Sequence, residues 1–210
     1  MLRAIHGIHS LAPTGAYDVL KKGGEFYFSD VYCNRRLPKH VQEHDVLWGE
    51  CIAGAMYTED FVRAANKVGF DDVRVLEKSE IVVTDPKLAD ICGEARFCSI
   101  TYRLFKLPGM LETICEDYGQ YALYKGTIPG HPNSYVLDDH HKIEKKRPFL
   151  VCGNSAAMLG EGGVSWLAPH FEIVGDRSVH NGAFDCAPEP AAAPATPAAA
   201  GGGGGGGGCC

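Results

Sequence analysis

The chain has 210 residues, 20 Lys+Arg against 26 Asp+Glu, a formal charge of −6 and a pI near 5.8, which argues against a general binder of nucleic acid or anionic membrane. With 45% hydrophobic and 10% aromatic residues it can bury a core, so it is not wholly disordered; no stretch approaches the roughly 18 uncharged apolar residues that a membrane-spanning helix needs. Met1 to His6 lacks the apolar run of a signal peptide, so the expected setting is a reducing cytoplasm and free thiols.

The first fourteen residues show no clean period. From Tyr17 to Asp30 a helix end with Lys21 and Lys22 in its last turn stops at Gly23-Gly24 and yields to an aromatic strand from Glu25 to Tyr32. After Pro38 one helix is expected from about Lys39 through Met56, because Leu47, Trp48, Cys51, Ile52, Ala55 and Met56 recur at spacings of three and four and make one apolar stripe. Thr58 then caps a further helix, with Glu59 and Asp60 in its first turn, Phe61, Ala65 and Val68 facing inward and Gly69 as its stop. A strand from Phe70 to Val83, a short helix from Asp85-Pro86 to Ile91 and a long strand from Arg96 to Leu107 follow. Alternation along the last puts Cys98, Ile100, Tyr102 and Leu104 on one face. Beyond Pro108-Gly109 turns multiply, and short strands are expected at 120–125, 135–137, 149–152 and 170–174, which makes a small β-rich C-terminal domain. After Cys186 the tail is Pro, Ala and Gly closed by Cys209-Cys210, too poor in apolar side chains to offset its conformational entropy.

Nine cysteines, at 33, 51, 92, 98, 115, 152, 186, 209 and 210, exceed what packing needs, yet no C-x-x-C exists to suggest a zinc knuckle or thioredoxin-like pair. His40 and His44 are four apart but lack further ligands and are assigned to a solvated helix face. Asp138-Asp139-His140-His141 is assigned to an exposed turn. The glycines at 153, 160, 162 and 163 match no phosphate loop, and no G-x-S-x-G elbow is present.

Several segments carry a more specific signal. Leu20-Lys21-Lys22-Gly23-Gly24-Glu25 to Tyr32, Arg35-Arg36-Leu37-Pro38, Val46-Leu47-Trp48-Gly49-Glu50-Cys51-Ile52, Phe97-Cys98-Ser99-Ile100-Thr101-Tyr102-Arg103 and Glu116 to Gln120 together resemble the arsenite methyltransferases, particularly algal-type members. The resemblance covers residues 17 to 186. It implies the C-terminal part of a Rossmann-like class I methyltransferase sheet in an α/β fold, followed by a small β-rich domain and a disordered tail.

The family transfers methyl groups from S-adenosylmethionine to trivalent arsenic held by thiolates, and soft thiolates suit thiophilic As(III). The resemblance maps one thiolate of W-G-E-C onto Cys51 and a second onto Cys98, with Cys92 in reserve and Cys209-Cys210 as a capture pair. Cys33, Cys115, Cys152 and Cys186 are left as packing. Only about twenty residues precede Gly23-Gly24, where the family carries its cofactor-binding half, so no cofactor-binding residue is assigned and weak As(III) binding without unaided methylation is expected.

The implied division is 1–50 as the end of the S-adenosylmethionine domain, 51–108 as an arsenite-binding region completing the sheet, 109–186 as the small domain and 187–210 as tail. The implied partners are arsenite, methylated trivalent arsenicals and a thiol reductant such as glutathione or thioredoxin. The chain is expected to be a cytoplasmic monomer that binds neither nucleic acid nor membrane. Two alternatives are a non-catalytic thiol-rich protein that sequesters arsenite or another soft metal, and a generic small-molecule methyltransferase.

Overall fold

A computed structural model describes residues 8–186 of the chain. Helix α1 (Ile8–Val19) ends before the lysines expected in its last turn. Its C-terminal carbonyls are met instead by Lys106, whose Nζ donates to Tyr17 O at 2.6 Å and Leu20 O at 2.9 Å. Strand β1 (Glu25–Cys33) follows the Gly-Gly turn as expected.

The single helix expected over 39–56 is broken. Helix α2 (Lys39–Gln42) and helix α3 (Asp45–Gly49) are separate, because His44 takes extended backbone (φ −78°, ψ 117°) and its ring accepts a bond from Leu47 N–H as an N-cap. That role replaces the solvated helix face assigned to His44. Beyond Gly49 the chain turns, and Met56 enters a short strand, β2 (Met56–Tyr57), rather than a helix stripe. Helix α4 (Thr58–Val68) buries Phe61 and Ala65 and stops at Gly69 (φ +107°); Thr58 is not its cap, since the hydroxyl donates to Cys33 O at 3.1 Å. Strands β3 (Val73–Ile81) and β4 (Phe97–Phe105) lie within the expected segments, and helix α5 (Pro86–Cys92) runs one residue past its expected end at Ile91, with Asp85 capping it through Lys87 and Leu88 N–H.

These strands form one mixed α/β sheet in the order β2-β1-β4-β3, antiparallel except for the β1–β2 pair. Cross-strand partners share a face, so Tyr32 and Cys98 face one way and Cys33 and Phe97 the other. The first face buries Tyr32, Phe61, Phe70, Ile100, Tyr102 and Leu104, with α4 packed over it. The second joins Cys33, Leu47, Ile52, Ala53, Cys92 and Phe97.

The C-terminal part carries seven short strands: β5 (Glu116–Asp117), β6 (Tyr121–Tyr124), β7 (Ser134–Val136), β8 (Lys142–Glu144), β9 (Pro148–Leu150), β10 (Phe171–Val174) and β11 (Gly182–Ala183). They pair as β10-β6-β9, β11-β5 and β7-β8. Between β9 and β10 lies helix α6 (Gly153–Leu159), not anticipated from sequence because it is only seven residues long and all of them, polar Asn154 and Ser155 included, are buried, so no 3.6-residue alternation of apolar and polar positions marks it. A third cluster, including Phe105, Leu107, Tyr124, Leu137, Ile143, Met158 and Phe171, makes this region's core.

Two joints lock this core to the sheet. Gly23 (φ +84°) donates to Lys106 O at 2.8 Å and accepts from Trp166 N–H at 3.1 Å, and a Cβ there would overlap the Val164 carbonyl. Arg74 on β3, 6% exposed, forks onto Asp72 at 2.7 and 2.8 Å and donates to Asp138 at 2.9 Å and Ser155 at 3.3 Å. Asp138 in turn accepts from His141 Nδ1 and N–H and from His140 N–H. The segment 138–141 is therefore not an exposed turn: Asp138 and His141 are buried as the anion and orienting ring of an ion network. Among the described residues no helix is long and apolar enough to cross a membrane. Cys209, Cys210 and the tail lie outside the described residues.

Candidate arsenic-binding thiols

Cys51 follows α3 in the turn that breaks the expected helix. It is exposed rather than part of the apolar stripe, and with φ +63° it is, beside Lys146, one of two non-glycine residues at positive φ among the described residues. Such a conformation costs an L-residue on the order of 1 kcal/mol, and Gly would occupy it without that penalty. The turn is held by its neighbours: Ile52 and Ala53 donate their N–H groups to Leu47 O at 2.9 and 3.0 Å, and both side chains are buried in the second cluster. The thiol thus stands outward on a backbone pinned from beneath.

Cys98 shares the face of Ile100, Tyr102 and Leu104, as alternation predicts, and is half-buried there. It lies beside Tyr32 and Tyr102, whose buried hydroxyls have no partner among the described residues. Burial raises the Cys98 thiol above its ordinary value, Lys78 opposes that, and Cys33 adds to it. Cys92, at the end of α5, lies on the other face in the cluster that anchors Ile52 and Ala53. It lines a cavity of about 170 Å³ together with Ala95 and Phe97, and its thiol too is raised, first by burial and then by Cys33. Both thiols therefore favour the protonated form. Neither Cys51, Cys92 nor Cys98 belongs to a group of three ligand side chains with donor atoms within 4.8 Å of one another.

Two such groups exist among the described residues: Asp138, His140 and His141, already engaged with Arg74, and Cys115, Cys152 and Cys186. The second was assigned to packing from sequence, and only Cys152 is buried. Separations of 37 and 34 residues carry no local motif, so pairing of distant strands was the only signal that could have joined them.

A mixed sheet with flanking helices, continued by a β-rich core, matches part of a methyltransferase fold. No family model matches the chain. It is 52% identical over 170 residues to the arsenite methyltransferase of Aquipseudomonas alcaligenes, covering 81% of the chain and 48% of that protein. It is 38% identical over 155 residues to the mouse arsenite methyltransferase, covering 74% and 39%. The crystal structure of an arsenic(III) S-adenosylmethionine methyltransferase from Chlamydomonas reinhardtii superposes with a TM-score of 0.79 at 57% identity, covering 87% of this chain and 60% of that one. The chain belongs to the arsenite methyltransferase family, and it spans about half the length of the bacterial relative.

Proposed function

We propose that the chain is the arsenic-holding part of an enzyme that transfers methyl groups from S-adenosylmethionine to thiolate-bound trivalent arsenic. The observation that carries this is Cys51: an exposed thiol on a positive-φ turn, inside the Trp48-Gly49-Glu50-Cys51 segment, seated on the cluster that contains Cys92. Cys51 supplies one thiolate and Cys98 or Cys92 the second. Cys98 has in its favour the strand motif and its half-exposure; Cys92 has the shared face with Ile52 and Ala53 and the adjoining cavity. The proposed substrates are arsenite and methylated trivalent arsenicals, with glutathione or thioredoxin as thiol reductant and a cytoplasmic monomer as the working form. The proposed boundaries fall after residues 50, 108 and 186. The C-terminal core, which begins with Phe105 and Leu107, starts near the second.

The described residues do not fit the methyl donor. Gly160, Gly162 and Gly163 follow a helix rather than a strand, and the one parallel strand pair is only Tyr32–Cys33 against Met56–Tyr57. No residue is therefore assigned to S-adenosylmethionine, and no step is derived through it.

The test is arsenite affinity in single Ser variants of Cys51, Cys98 and Cys92, made in a chain whose clustered Cys115, Cys152 and Cys186 are already Ser and measured by equilibrium dialysis with a phosphine reductant. Loss in Cys51→Ser and in one of the other two supports the reading and names the second ligand. Unchanged affinity in Cys51→Ser overturns it.

A further inference from the structure

We propose that Cys115, Cys152 and Cys186 form a second, separate site that binds trivalent arsenic through three thiolates. The fold builds it from three distant segments. Strands β5 and β11 pair antiparallel with Asp117 opposite Gly182 and Glu116 opposite Ala183, and Phe184 N–H continues the ladder to Cys115 O at 2.8 Å. Cys186 is two residues further along. Cys152 leaves β9 and begins α6, buried against the same place, and the three sulfurs all lie within 4.8 Å of one another. Cys115 and Cys186 are half-buried, which leaves a route in, while Cys152 forms the floor.

Chemistry distinguishes this trio from packed thiols. Ser155 N–H donates to the Cys152 sulfur at 3.4 Å, the Ser155 hydroxyl lies at 3.4 Å, and the Arg74 guanidinium reaches it at 3.9 Å. Hydrogen bonds from Cys115 and Cys186, with those from Ser155, pull the Cys152 thiol well down against its burial. The same contact to Cys152 pushes Cys115 up to about 11. Cys186 is likewise raised, chiefly by its bonds to Cys115 and Cys152. Of the three, Cys152 is the sulfur whose neighbours favour the thiolate.

Three sulfurs suit an ion that takes three bonds and keeps a lone pair. A structural zinc site needs four ligands, and the group of described residues contains no fourth cysteine, histidine or carboxylate. Arsenite would enter by ligand exchange without redox change. Three As–O bonds break and three As–S bonds form, so As(OH)3 and three thiols give the tris-thiolate and three waters. Because the site lies among C-terminal strands and shares no residue with the Cys51 site, it serves to hold or deliver arsenic rather than to supply the ligands assigned to methyl transfer.

The experiment uses the full chain carrying Cys51, Cys92, Cys98, Cys209 and Cys210 as Ser, kept reduced with a phosphine. Arsenite is titrated by equilibrium dialysis, and X-ray absorption counts the sulfurs on bound arsenic. The expected result is one arsenite per chain with three sulfur neighbours and protection of all three cysteines from maleimide. Loss of a supporting neighbour alone typically costs about 10–100-fold in affinity, so Cys115→Ala or Cys186→Ala, with folding checked by circular dichroism, is expected to cost at least ~100-fold. No bound arsenite, fewer than three sulfurs, a disulfide persisting under phosphine, or unchanged affinity in both alanine variants overturns the proposal. These results are independent of whether wild-type binding requires Cys51, so the two sites stand or fall separately.

Discussion

Replacing Arg74 by Met removes the cation that joins β3 to the C-terminal core while keeping most of its volume. The side chain is 6% exposed and spends its donors on two carboxylates: Asp72 just before its own strand, 13% exposed, and Asp138, 0% exposed. Without it both anions remain buried with too few donors. Breaking a buried pair by removing one partner costs about 3–5 kcal/mol, and Ser155 also loses its contact at 3.3 Å. With a urea slope of about 2 kcal/mol/M, the unfolding midpoint should fall by about 1.5–2.5 M.

The loss should also depend on pH. Burial alone would raise the Asp138 carboxyl, but His141 and Arg74 hold it well below the usual carboxylate range. A group depressed in the folded state contributes stability above its unfolded value, near pH 4, and loses it as pH falls through the folded value. Arg74→Met removes part of that depression, so its deficit should be full at pH 7 and shrink below about pH 4. Urea denaturation of both proteins at pH 7, 5 and 3.5 measures this. A deficit under about 0.5 kcal/mol at pH 7, or one that grows on acidification, refutes the reasoning.

Cys51→Gly should stabilise the chain by about 1 kcal/mol through relief of the positive φ while weakening arsenite binding, two opposite movements that a merely structural cysteine would not combine. Thermal unfolding with and without arsenite, in a chain whose Cys115, Cys152 and Cys186 are Ser, reads both, and a destabilised variant would count against the turn geometry. Gly23→Ala combines about 1–2 kcal/mol of left-handed strain with about 1–3 kcal/mol of overlap against the Val164 carbonyl. A midpoint within error of wild type in urea would show that the joint at Gly23 can yield.

Legibility followed the range of the interactions. The strands at 25–33 and 97–105 and the helices at 58–68 and 86–92 could be read directly, because alternation, an Asp-Pro start and a Gly stop act within a few residues. The helix over 39–56 misled because its apolar residues are buried by a turn rather than by one helical face. Leu47, Ile52, Ala53 and Ala55 are all buried, yet the Gly49-to-Cys51 turn interrupts the backbone between them and His44 breaks the helix before them. Asp138 and His141 looked like a polar turn because their partner, Arg74, is 64 residues away from the aspartate.

The amino-acid order alone was enough to indicate the α/β sheet, the β-rich continuation, the family and Cys51 as a thiol of interest, since those rest on local pattern and on contiguous motifs. Tertiary structure decided what pattern cannot encode. It turned Cys51 outward on a left-handed backbone, separated Cys92 and Cys98 onto opposite faces, and gathered Cys115, Cys152 and Cys186 within 4.8 Å. The reason is physical: hydrogen bonding between strands and burial of side chains from distant segments choose which residues meet, and neither leaves a period in the residues that take part.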